Sequence, residues 1–221
     1  MEYQGPTGED LANISALNRL YLGSFPSDGT AGPGSSELKQ LSDSERTRLA
    51  EAPFLLFSLR EHDSDYWQPI FDPGAQLDLI EPASPPQGRV AALQVAGLSF
   101  LWQLVRRNPY AARIVSGAPV GWCERLAGLT LVGLLQRAAG CGDLLRMRFS
   151  VDDVIWRRLL GNGTSPRRNL RLVAHHCALQ TMLARGQRSH DFRAAAAACS
   201  MTVPRHRDET TSNAGIRDTE V

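Results

Sequence analysis

An internal repeat is the feature that most constrains how this chain folds. The segment from Leu38 to Trp67 aligns with the segment from Leu126 to Trp156 after one residue of slippage. Upstream, the pentapeptide LNRLY echoes the later LSFLW. Self-similarity of this kind predicts that one structural unit is built twice. The matched pairs are Leu38 with Leu126, Leu41 with Leu129, Ser42 with Thr130, Leu55-Leu56 with Leu144-Leu145, Asp63 with Asp152, and Trp67 with Trp156.

The two copies carry opposite charge, which the overall net charge of +1 conceals. Residues 1–88 hold 14 acidic and 5 basic side chains, whereas residues 89–190 hold 15 basic and 4 acidic ones. Such asymmetry indicates an interaction surface, and the basic second copy favours nucleic acid. The acidic copy has two interpretations. It is a solvated face, or it rests on the basic copy or binds a partner such as RNA polymerase, and in covering arginines it would be autoinhibitory.

Composition excludes several classes of protein. No apolar run reaches the length that spans a membrane, and the N-terminal residues lack the pattern of a secretory signal. The four cysteines are scattered without a CxxC pair, which is typical of a reduced cytoplasmic protein rather than a disulfide framework. We find no nucleophile–base arrangement, phosphate loop or metalloprotease motif. The sequence therefore predicts a cytoplasmic protein that is not an enzyme and needs no cofactor or metal.

Helical periodicity dominates the predicted elements. In the first copy we expect a helix over residues 9–25, a helix from Ser42 to Glu51 with a Ser42–Glu45 capping box, an extended run over 54–59 and a short helix from Ser64. In the second we expect helices over 90–107, 110–116, 119–128 and 130–139, then an extended run over 144–149. A Ser150–Asp153 capping box would open the next helix, and Gly186 would end the last one.

The predicted fold is mainly α, with two repeated small helical modules that each contain one short extended segment. The second module ends in a helix-turn-helix-like pair. Trp67 and Trp156, which recur at one position of the repeat, are expected in the core. The predicted divisions are a truncated acidic module over residues 1–71, a proline-rich linker over 72–88, a basic module over 89–186 and a disordered tail over 187–221.

Five ordered segments of the second copy are similar to one known family. They are LSFL, AARIVSG, RLAGLTLVGLLQRAA, LLRMRFS and LRLVAHHCALQTMLA, which together extend from Leu98 to Ala184. In this order the second copy resembles the FlhD-type flagellar transcriptional regulators, the D subunit of the flagellar master activator. The chain departs from that family in its truncated first copy. It also has Leu145-Arg146 where some members carry a dimer-linking cysteine, so no covalent dimer is implied.

The resemblance implies a mainly α module that dimerises and regulates transcription as an activator of flagellum biogenesis. It also implies an FlhC-like partner subunit, which in the family supplies much of the DNA contact. Because this chain carries the module twice, we expect either a homo-oligomer or a single-chain pseudo-dimer. The pseudo-dimer hypothesis requires that the two copies pack on each other.

Five arginines flank the short loop GNGTSP, between two predicted helices, and form what we name the arginine corner. A short glycine-containing turn between helices is typical of a helix-turn-helix, and arginine at a helix start reaches DNA phosphates. Asn169 has the chemistry to read adenine. The alternative is a solvated corner whose arginines cap helix ends. The members of the corner are Arg157, Arg158, Arg167, Arg168 and Arg171.

The sequence thus predicts a transcriptional regulator that binds DNA through the arginine corner. The alternative is a protein-interaction module that binds a regulator or partner without contacting DNA. His175, His176 and Cys177 are adjacent, but neighbouring helical residues point about 100° apart. They are therefore expected to pack rather than to hold a metal.

Overall fold

The computed structural model describes residues 4–24, 35–72, 88–150 and 153–200, with no side-chain description for 35, 36 and 186–200. Within these ranges the chain is helical apart from one short two-stranded ribbon, which confirms the predicted mainly α fold. The elements are α1 (Gly8–Gly23), α2 (Ser35–Lys39), α3 (Asp43–Ala50), β1 (Phe57–Ser58), α4 (Ser64–Phe71), α5 (Gly88–Arg107), α6 (Pro109–Ser116), α7 (Val120–Ala127), α8 (Leu131–Gly140), β2 (Arg146–Met147), α9 (Val154–Gly161) and α10 (Arg168–Ser200).

Each repeat contains the same three elements in the same order: a capped helix, a short strand and a second helix. Ser42 caps α3 through a complete capping box with Glu45, as predicted, and Thr130 caps α8 at the matching position. The strands β1 and β2 follow, and α4 and α9 come after them. A side-chain acceptor at these positions satisfies backbone N–H groups that the first helical turn leaves open. The matched caps therefore start matched helices.

The two extended segments of the repeat pair with each other. β1 and β2 are antiparallel, with Phe57 opposite Met147 and Ser58 opposite Arg146. The alignment of the repeat maps Phe57 onto Arg146 and Ser58 onto Met147. Exchanging the copies therefore returns the same pairing, which is the property of a contact across a two-fold axis.

One core serves both copies, and the two repeated tryptophans lie in it. Trp67 and Trp156 are 1% and 0% exposed, as predicted for core residues. Helix α1 packs on α5, so the leading helices of the two copies also meet. Trp67 of the first copy packs edge-on against Trp122 of the second at a centroid distance of 5.0 Å. The copies therefore pack on each other, and neither buries its apolar residues alone.

A buried arginine joins the copies beside the ribbon. The Arg148 side chain is 5% exposed and forms an ion pair of 3.0 Å with Glu61, whose side chain is 0% exposed. Its guanidinium also donates to the carbonyl oxygens of Leu55 at 2.6 Å and Phe57 at 2.5 Å, and to that of Ser116. A buried guanidinium needs such partners because its transfer from water is costly. Arg148 thus connects the first copy with the end of α6.

A buried asparagine holds the extended run of the first copy against α1. The Asn18 amide donates to the carbonyl oxygens of Ala50 at 3.3 Å and Phe54 at 2.9 Å. Its side-chain oxygen accepts from the backbone N–H of Leu56 at 2.9 Å. Backbone groups that would otherwise be buried without partners are satisfied in this way.

Two sequence-based boundaries were wrong. Asp153 is the N-cap of α9, accepting from the Ile155 N–H at 3.0 Å, and the predicted Ser150–Asp153 capping box does not form. The Asp153 N–H instead donates to the Ser150 carbonyl oxygen, so a turn precedes the helix. Helix α10 continues through Gly186 to Ser200, although Gly186 was predicted to end it. One glycine costs a helix only about 1 kcal/mol, which its neighbours can offset.

Other predictions fall outside the described residues. These are most of the linker over 72–88 and the tail beyond residue 200. Among the helices that are described, α5 alone is long and apolar enough to cross a membrane by length and composition. Its residues Leu98, Leu101 and Leu104 are buried in the shared core, so a core helix accounts for that composition.

We predict that Arg148→Met destabilises the fold far more than Arg146→Met. Removing one partner of a buried ion pair typically costs about 3–5 kcal/mol, whereas Arg146 pairs with Asp143 at an exposed site, worth about 0–1 kcal/mol. Urea unfolding of the two variants would measure the difference. Equal losses of unfolding free energy would contradict the assigned role of Arg148.

Candidate nucleic-acid interface

A short turn joins α9 to α10 and carries the arginine corner. Gly163 permits the close return of the chain, because a Cβ there would lie 2.4 Å from the Leu159 carbonyl oxygen. The Thr164 hydroxyl donates to the Leu160 carbonyl oxygen at 2.5 Å. The Ser165 hydroxyl accepts from the Arg167 N–H at 3.2 Å, which orders the entry to α10. Two helices therefore meet across a compact turn, as the sequence predicted.

The five predicted arginines occupy both ends of this turn. Arg157 and Arg158 are exposed on α9, and Arg167 and Arg168 are exposed at the beginning of α10. Across the described part of the chain, no hydrogen bond or ion pair engages the side chains of Arg158, Arg167 or Arg168. Their guanidinium groups are therefore available to an anionic partner.

The fifth arginine holds the turn itself. The Arg171 guanidinium donates to the carbonyl oxygens of Ser165 at 3.0 Å and Pro166 at 3.1 Å. It also lies 3.5 Å from the Glu51 carboxylate in an ion pair, and its side chain is 18% exposed. Arg171 is therefore a positioning residue for the corner more than a contact on its surface.

The first copy supports the turn from its inner side. The Arg48 Nε of α3 donates to the Thr164 carbonyl oxygen at 2.6 Å, and Glu51 at the end of α3 pairs with Arg171. Sequence reasoning missed both residues, because nothing local in α3 indicates a contact with a turn so far along the chain. The corner is thus built from both copies, although its exposed arginines come only from the second.

An open depression lies on the outer side of α9. It is lined by Val154, Arg157, Arg158, Gly161 and Asn162. The two guanidinium groups border an exposed surface whose glycine leaves the helix backbone accessible. Planar guanidinium groups bind phosphate through paired N–H donors. The depression therefore suits an anionic backbone better than a neutral small molecule.

Much of the remaining positive charge of the second copy is directed at the first. Arg107 pairs with the buried Asp10 carboxylate. The Arg137 guanidinium donates to the Ile70 carbonyl oxygen at 2.8 Å. The Arg125 guanidinium lies 4.5 Å from the centre of the Phe71 ring. Sequence charge alone therefore overstates the positive surface that the second copy presents to solvent.

His175 anchors α10 on the core rather than forming a metal site. It is 5% exposed and packs edge-on against Phe54 at a centroid distance of 6.4 Å. Its neighbour His176 is exposed. In the described residues, no group of three or more His, Cys, Asp or Glu side chains is arranged to hold a metal. Burial, followed by the charges of Arg171 and His176, lowers the pKa of His175 to about 4.

Comparison with known proteins returned no match to this chain among family models, curated proteins or solved structures.

We predict that His175 makes the fold lose stability in mild acid. Its pKa is lowered from 6.5 to about 4, so the unfolded chain takes up the proton at higher pH than the folded protein. Its contribution is complete above pH 6.5 and falls as the pH drops toward 4, by roughly 2–3 kcal/mol. His175→Gln should flatten the dependence of unfolding free energy on pH, and the matched His176→Gln should alter it far less, because burial is the largest cause of the shift. Parallel curves for all three proteins would refute this assignment.

Proposed function

We propose that this protein is a cytoplasmic transcriptional regulator that binds DNA through the arginine corner. The observation that carries the proposal is the exposure of Arg158, Arg167 and Arg168, without described partners, around one ordered turn between two helices. Buried arginines in proteins form ion pairs and donate hydrogen bonds to carbonyl groups, as Arg148 does here. Several unengaged guanidinium groups on one corner therefore favour an external anion.

Helix-turn-helix proteins place the second helix in the major groove while the first crosses the DNA backbone. Here α10 would be the second helix and α9 the first. Arg157 and Arg158 on α9 would then lie along the phosphates, and Arg167 and Arg168 would contact them at the beginning of α10. Helix N-termini add backbone N–H groups and a favourable dipole to such contacts.

The arrangement of the copies supports a single-chain pseudo-dimer. Exchanging the two copies leaves the register of β1 with β2 unchanged. In an ordinary dimer, the second subunit would supply the partner strand. Among the described residues, α10 follows α9 in the second copy, and no matching helix follows α4 before α5, so we propose one DNA-binding corner in each chain. A partner subunit, FlhC-like by the resemblance noted above, or a second chain would extend the site. Flagellar gene activation is the corresponding process.

One observation favours a second candidate, a protein-interaction module that does not contact DNA. Leu170, Leu172 and Val173 on α10 are 40%, 43% and 58% exposed close to the corner. An exposed apolar patch rimmed by polar residues marks a protein interaction surface. The response of binding to salt separates the two candidates.

We predict that the purified protein binds duplex DNA with steep salt dependence. The triple variant R158A/R167A/R168A should make the slope of log affinity against log salt shallower by about 2–3, since each neutralised phosphate contributes about 0.9 to its magnitude. Fluorescence anisotropy with random-sequence duplexes across a salt series would measure both slopes.

The matched control is R19A/R89A/R106A, which removes the same charge from exposed positions elsewhere. It should bind with nearly the slope of the unmodified protein. An equal reduction in both variants would mean that only net charge matters and that the corner is not the site. Absence of binding by the unmodified protein at low salt would instead favour the protein-interaction module.

A further inference from the structure

We propose that the solvent face of α10 reads base edges in the DNA major groove. The reading residues are Asn169, Val173, His176 and Gln180. This inference rests on the proposed DNA binding by the arginine corner and adds the residues that would set sequence preference.

These four residues form a single stripe along α10. Their spacings of four, three and four positions match the helical repeat of 3.6 residues. All four side chains are exposed. The opposite side of the helix holds Ala174, His175, Ala178 and Met182, each 5% exposed or less. One face of α10 is thus fixed to the core and the other is presented outward, as a reading helix requires.

The chemistry of the stripe matches the major-groove code. Asn169 and Gln180 each offer an amide that donates to and accepts from adenine at the same time. His176 offers a ring N–H donor to a purine acceptor. Val173, 58% exposed, is an apolar side chain of the kind that contacts the thymine methyl group. A helix face that contacts only water does not require this combination of side chains. The combination predicts a preference for sites containing adenine and thymine.

The dimensions of the stripe suit a groove. An α-helix with side chains is about 10–12 Å wide, and the major groove is about 12 Å wide. From Asn169 to Gln180 the stripe is roughly 16 Å long at about 1.5 Å per residue, which covers about five base pairs at 3.4 Å each. The stripe is therefore long enough to read part of a half-site.

The charges around the stripe identify its occupant as DNA rather than an apolar protein surface. Arg167 and Arg168 stand at the beginning of α10, and Arg157 and Arg158 stand on α9 across the turn, all exposed. Within the described part of α10, no acidic residue lies on the stripe or next to it. Phosphate contacts fix the position of a protein on the duplex, and base contacts then specify the sequence. The arginines would make the phosphate contacts, and the stripe would make the base contacts.

The test separates sequence preference from general affinity. Duplexes would be selected from a randomised library with the full chain, and affinity for the selected duplex would be compared with that for a scrambled one. In the variant N169A/Q180A we expect the ratio of these affinities to fall by roughly 10- to 100-fold. Affinity for the scrambled duplex should stay within about twofold, because phosphate contacts are untouched. The matched control N13A/Q136A alters exposed helical residues on α1 and α8.

Each outcome either supports or overturns the proposed base-reading role of α10. Loss of the preference in N169A/Q180A but not in N13A/Q136A would support α10 as the reading helix. A retained preference, or no preference in the unmodified protein despite salt-sensitive binding, would overturn the reading role while leaving DNA binding by the arginine corner in place. Failure of the unmodified protein to bind either duplex at low salt would overturn both proposals.

Discussion

The buried ion pair between Arg148 and Glu61 is the constraint on which the rest of the structure depends. The guanidinium can leave water only if its donors are met, and the partners it uses come from the first copy and from the end of α6. Such pairs add little net stability over an apolar replacement, but a mismatched one is costly. The alignment of the repeat maps Glu61 onto Ser150. Two second copies would therefore leave Arg148 without its carboxylate, so this pair favours the pairing of unlike copies.

The contact between the two copies explains part of their opposite charge. Some arginines of the second copy face the first copy. Arg107 pairs with a carboxylate there, and Arg137 donates to a carbonyl oxygen. Arg158, Arg167 and Arg168, at the α9–α10 turn, remain exposed. The same copy thus supplies both the internal contacts and the candidate DNA surface, and position in the fold separates the two. The first copy contributes to that surface indirectly, by holding the turn through Arg48 and Glu51.

Local signals in the sequence predicted local structure well. The Ser42–Glu45 box and Thr130 start helices because a side-chain acceptor at these positions satisfies open N–H groups, whatever lies farther away. The same logic misplaced the beginning of α9, where two acceptors competed and Asp153 itself became the cap. The arginine corner was visible because all its members lie within a few residues of one turn. The distinct role of Arg171 was not, because its partner Glu51 belongs to the other copy.

The sequence by itself determined a mainly α chain, and the charges and tryptophans that differ or recur between its two similar segments. These follow from periodicity, capping chemistry and composition, which act over a few residues. Only the tertiary structure decided that β1 pairs with β2, that Arg148 is buried while Arg158 is exposed, and that α10 turns Asn169 and Val173 outward. Such outcomes depend on contacts between residues far apart in the chain, where burial and hydrogen-bond partners are set by packing and not by neighbouring residues.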